Sequence, residues 1–73
     1  MAISYNNLWK LLIDKKMNKG SLRKLTGISS STMAKMTNEE PVSLKVLESI
    51  CRELDCNIGD IMSFEKDDVK ERE

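Results

Sequence analysis

The chain has 73 residues, 40% of them apolar and 33% charged, which is the composition of one small soluble domain rather than of a large catalytic fold. Twelve bases balance twelve acids and there is no histidine, so the commonest general base and metal ligand is missing. The longest apolar run, Leu11-Leu12-Ile13, is far short of the ~20 residues that a membrane helix needs; with no secretory leader pattern either, a cytoplasmic location and no membrane partner are expected.

Strand signals are weak, and short helical patterns separated by Ser, Asn and Gly dominate. A hydrophobic staple sets an apolar residue before a helix cap against another four residues after that cap. It recurs as Ile3-Ser4 with Leu8, Met17-Asn18 with Leu22, Ile28-Ser29 with Met33, Val42-Ser43 with Leu47, and Cys56-Asn57 with Ile61. Five helices are predicted from these starts. The first runs from about Tyr5 to Lys16, with Leu8, Trp9, Leu11 and Leu12 inward. The second runs from about Lys19 to Thr26, with Leu22 and Leu25 inward, and Gly27 supplies the turn that ends it. The third opens after Ser29 and ends near Asn38, burying Met33 and Met36, before Pro41 blocks continuation. The fourth spans about Leu44 to Leu54 and buries Leu47, Ile50, Cys51 and Leu54. A short fifth helix covers about Ile58 to Met62, with Phe64 just beyond.

Trp9 and Phe64, from opposite ends of the chain, are expected as neighbours sealing the core against the fifth helix; the alternative is an exposed apolar patch for a second protomer. Residues 65–73, EKDDVKERE, are charged except at Val69. They read as a charged, disordered tail, or as a helical extension used in a dimer. Cys51 and Cys56 are too few for a disulfide framework and lack the second pair that a zinc site needs. With one on a helix and one just after it, they are expected to point in different directions as reduced core thiols, a redox pair being the alternative. No metal site is expected.

Charge is unevenly spread. Residues 10–45 carry eight bases against three acids, and residues 46–73 carry four against nine. Such a split suggests a basic working face and an acidic far end, although any chain of this composition can divide so. Residues 19–38 read as a helix-turn-helix: two short helices, a glycine in the turn and apolar residues at fixed offsets on both sides. Ser30, Ser31, Thr32 and Lys35 occupy the start and outer face of its second helix. Short hydroxyl residues let a helix approach base edges and can donate or accept there, and Lys35 can reach guanine acceptors or a phosphate. The plainer reading is a well-capped, solvated helix, with Ser29 as the cap in either case.

The run Leu22-x-x-Leu25-x-Gly27-Ile28-Ser29-x-x-Thr32-Met33-x-Lys35-Met36, followed by PVSLKVLESICRELDCNIGDIM, resembles the lambda-repressor-like (Xre or Cro-type) helix-turn-helix family over about residues 3–64. The resemblance implies an all-α, compact five-helix DNA-binding domain over residues 1–64, with no cofactor. It implies a dimer that binds a palindromic site on double-stranded DNA, as a repressor does. Carried over by position, Ser30, Ser31 and Lys35 look base-facing, and Lys19, Thr32 and Asn38 look like phosphate contacts, with Lys45 a weaker phosphate candidate. Lys19 stands where the family commonly has Gln, which still suits a phosphate. Arg23 stands where the family commonly has Ala; it either snorkels outward on its stem or reaches a phosphate. Glu39 and Glu40 fill a loop that often carries Gly and Lys, and two acids there oppose non-specific DNA affinity. The rival readings are an antitoxin-like repressor with a protein partner, and a protein-interaction module without DNA binding. An enzyme is the poorest reading, since no catalytic cysteine setting and no paired carboxylates stand out.

Overall fold

The computed structural model describes residues 2–66. The elements run β1 (Ala2–Ser4), α1 (Asn6–Asp14), α2 (Lys19–Thr26), α3 (Ser30–Thr37), α4 (Leu44–Leu54), a single 3-10 turn (Ile58–Asp60) and β2 (Ser63–Glu65). Three caps set the middle of the chain. Asn18 Oδ1 accepts from the Ser21 N–H at 2.8 Å, Ser29 Oγ from the Thr32 N–H at 3.2 Å, and Ser43 Oγ from the Val46 N–H at 3.3 Å. Each removes one of the donors a helix start leaves open, worth about 1 kcal/mol. Gly27 closes α2 with φ 78°, a conformation that costs a side-chain-bearing residue about 1–2 kcal/mol, and its N–H returns to the Arg23 carbonyl at 2.8 Å.

The core runs through every helix. Leu8 and Leu12 of α1, Leu22 of α2, Met33 and Met36 of α3, and Leu47, Ile50 and Leu54 of α4 are buried with Tyr5, Ile28 and Ile61. Tyr5 enters from before α1, and its hydroxyl donates to the Glu40 carbonyl at 2.9 Å. That bond ties the chain start to the loop after α3. Burial raises the Tyr5 pKa, with the Val42 backbone opposing.

Several expectations need correction. Among the described residues there are four α-helices, not five. The expected fifth is three residues of 3-10 turn, with the Asp60 N–H on the Asn57 carbonyl at 2.9 Å and the Ile61 N–H on the Ile58 carbonyl at 3.1 Å. It cannot lengthen because the chain then leaves for β2. Nor is the fold purely helical: β1 and β2 pair antiparallel in the register Ala2↔Glu65, Ile3↔Phe64, Ser4↔Ser63. Three-residue strands are too short to show an alternating pattern, and their partners lie at opposite ends of the chain. Ser4, expected to cap the first helix, is the buried end of β1; Tyr5 holds the cap position, and the Ser4 Oγ accepts the Asn6 N–H at 3.3 Å. The first helix stops at Asp14 because Lys16 adopts φ 59°, and the Met17 N–H folds back onto the Leu12 carbonyl at 2.8 Å.

Leu25 is 47% exposed rather than inward, since the buried stripe of α2 centres on Leu22 with Thr26 beside it. Phe64, 62% exposed, does not seal the core. It stands at the rim of an apolar groove with Leu44, Leu47, Ile58 and Met62, while Trp9 packs partly buried on the core. Glu65 belongs to β2, and residues 67–73 of the expected tail lie outside the described residues. Among the described residues no helix is long and apolar enough to cross a membrane.

Candidate nucleic-acid interface

At 100° per residue, the buried pair Met33 and Met36 fixes which side of α3 faces out. The outward stripe is Ser31, Ala34, Lys35 and Asn38, all exposed. Ser30, at the start of the helix, and Thr37, at its end, lie along one edge of that stripe, and Thr32 lies at the other edge, half-buried. Ala34 was not singled out from the sequence. Its small side chain adds to what the serines provide, because it keeps the centre of the helix face low.

The hydroxyls at the start of α3 are already engaged with one another. Ser29 Oγ donates to Thr32 Oγ1 at 3.0 Å while accepting the Thr32 N–H. Ser29 and Ser31 hydroxyls are 3.1 Å apart. With the Ser29 proton on Thr32, the Ser31 hydroxyl is the donor of that second bond. Its oxygen keeps lone pairs that can accept, and the residue is exposed.

A second group forms where α1, α2 and α3 meet. Lys19 Nζ donates to Thr37 Oγ1 at 3.0 Å and lies 4.4 Å from the centroid of the Trp9 ring. A cation over an indole face is attracted by the ring quadrupole, so the ammonium is held from two sides beside Thr37, at the last turn of α3. Neither Trp9 nor Thr37 was singled out as a partner of Lys19. Spacing gives no signal for it, because Lys19 and Thr37 are 18 residues apart and meet only through packing.

The remaining candidates are dispersed. Arg23 and Lys35 are exposed on α2 and α3, and Asn38 caps the end of α3 with its N–H on the Ala34 carbonyl at 3.0 Å. Arg23 is solvated, with no ion pair to it among the described residues. Lys45 lines a depression of about 200 Å³ with Thr26, Gly27, Ile28, Ser43, Val46 and Ser49, next to the turn between α2 and α3. Glu39, at φ 60°, and Glu40 are exposed just beyond α3. The acids thus border the far end of the helix, the end where Thr37 holds the Lys19 ammonium, while its start carries the hydroxyls.

A family model described as the Cro/C1-type HTH DNA-binding domain matches residues 7–67. A solved crystal structure of the transcriptional regulator VanUg, form II, is 55% identical in sequence. The match covers 85% of this chain and 83% of that one, with a TM-score of 0.83. No curated protein matches the chain.

Proposed function

Because the chain belongs to the Cro/C1-type helix-turn-helix DNA-binding family, we propose that it is a transcriptional repressor that reads a palindromic operator as a dimer. The carrying observation is the outer stripe of α3, small and polar over a buried methionine pair. Its relative VanUg, 55% identical, is a transcriptional regulator.

In this reading α3 enters the major groove. Ser31, Ser30 and Lys35 meet base edges, Ala34 lets the helix approach, and Lys19, Arg23, Thr32, Asn38 and Lys45 meet phosphates. Lys19 is the strongest of these phosphate contacts, because Thr37 and Trp9 already hold its ammonium and little side-chain freedom is left to lose on binding. Thr32 is the weakest, being half-buried and engaged by Ser29. The acceptor on Ser31 favours the amino groups of adenine or cytosine.

A dimer is supported by the apolar groove at Leu44, Ile58 and Phe64. The exposed Phe64 ring and the groove belong to one patch, so two copies related by a two-fold axis can exchange rings reciprocally. Zero net charge leaves no overall repulsion between copies. Two recognition helices would then sit about 34 Å apart, one turn of duplex.

The test is selection from a random duplex pool at about 150 mM salt, where non-specific binding is weak. Recovery of a palindrome with half-sites about ten base pairs apart is expected. Recovery of nothing above background would sink the repressor reading and favour a protein partner, as for an antitoxin-like protein. An isolated half-site would sink the dimer alone.

A further inference from the structure

Cys51 and Cys56 were expected to diverge, and the backbone instead brings them together. Asp55 takes φ 54° and ψ 57°, which turns the chain back over the last turn of α4. The Cys56 N–H then donates to the Cys51 carbonyl at 3.0 Å. This is the six-to-one bond of a Schellman turn, whose first and last side chains meet, and here both are cysteines. Both are free and half-buried. The Cys56 thiol pKa is raised, first by burial and then by the charge and hydrogen bond of Cys51; Asp60 adds to this and Lys15 opposes it. The two thiols therefore sense each other directly. Cys56 also opens onto a solvent-facing depression of about 370 Å³, lined by Lys10, Lys15, Asp14 and Asp60, which gives a small reagent access.

We propose that Cys51 and Cys56 are a modification site, a dithiol that a low-molecular-weight disulfide such as oxidised glutathione closes into an intramolecular disulfide. Cys56, as thiolate, attacks one sulfur of the reagent. The reagent S–S bond breaks, and one glutathione leaves as thiolate and takes up a proton. Cys51 then loses its proton and attacks the Cys56 sulfur of the mixed disulfide, expelling the second glutathione. The protein loses two hydrogens and is oxidised, and one glutathione disulfide is reduced to two thiols. A protein disulfide needs Cα atoms about 4.4–6.8 Å apart, a span that a backbone hydrogen bond between the same two residues accommodates. Closure would fasten the end of α4 to the segment that leads into the 3-10 turn.

The fully reduced chain would be treated with glutathione disulfide at about pH 9.5, above the ordinary thiol pKa, so that the raised Cys56 thiol supplies thiolate, then alkylated and weighed intact. The expected product is a monomer lighter by two hydrogens and carrying no alkyl group. In glutathione buffers the folded chain should favour closure about tenfold more than the urea-unfolded chain. Two alkyl groups, a lasting glutathione adduct on the wild type, a linked dimer, or equal closure in urea would each overturn the proposal. The Cys51→Ser variant, with no second thiol to resolve it, should accumulate the glutathione adduct on Cys56. Failure to form that adduct would contradict the assigned order of attack.

Discussion

Replacing Lys19 with methionine removes the ammonium and keeps most of the stem. Among the described residues the ammonium of the free protein meets Thr37 Oγ1 and the Trp9 ring, and Lys19 is exposed. An exposed cation–π contact is worth about 0.5–1 kcal/mol, so the loss of folding stability should stay near 1 kcal/mol and leave the fold intact. The effect on DNA is larger and has a signature. Each phosphate neutralised contributes about 0.9 to the slope of log K against log salt. Over a fourfold rise, from about 50 to about 200 mM, the wild type should weaken about 3.5-fold more than the variant for each phosphate that Lys19 neutralises. A dimer brings two copies of Lys19 to the duplex, which makes that factor about twelve. Fluorescence anisotropy of a labelled operator and of a scrambled duplex, across salt, reads both quantities. The variant should bind both duplexes more weakly and with a shallower slope. An unchanged slope on both would refute the phosphate assignment. A loss confined to the operator would make Lys19 a base reader.

Two further substitutions test the frame that presents α3. Gly27→Ala should cost about 1–2 kcal/mol through its left-handed backbone alone, because an added Cβ would meet nothing within 4 Å; urea unfolding measures it, and no loss would mean that the turn relaxes to another conformation. Tyr5→Phe removes the hydroxyl bonded to Glu40 and should cost about 1 kcal/mol near neutral pH. Burial raises the Tyr5 pKa above its ordinary 10.0, so as pH rises the unfolded chain loses this proton before the folded one. The contribution is full below the ordinary value and is lost as pH climbs through the raised one. The stability gap between wild type and variant should therefore shrink above about pH 10, and a constant gap would count against a buried neutral phenol.

What the sequence made legible was local. The bounds of α2 and α4 follow from Asn18, Gly27 and Ser43, residues that act within a turn of where they stand. The outer face of α3 follows from the spacing of Met33 and Met36. What stayed hidden depends on residues distant in sequence. The pairing of Ala2 with Glu65, the bond from Tyr5 to Glu40 and the Lys19–Thr37–Trp9 group exist only once the core has closed. The cysteine pair is the instructive exception. It is local, but its turn is built on Asp55 at positive φ instead of the usual glycine, so the expected marker was missing.

The outer stripe of α3, with Lys19 beside its last turn, is the surface proposed to meet DNA. The most direct measurement is titration of the isotope-labelled chain with its selected duplex, following the backbone amides by nuclear magnetic resonance. The largest changes are expected at Ser30, Ser31, Ala34, Lys35 and Asn38, with Lys19 and Thr37 moving together. Changes concentrated instead at Leu44, Ile58 and Phe64, with α3 undisturbed, would contradict the proposal.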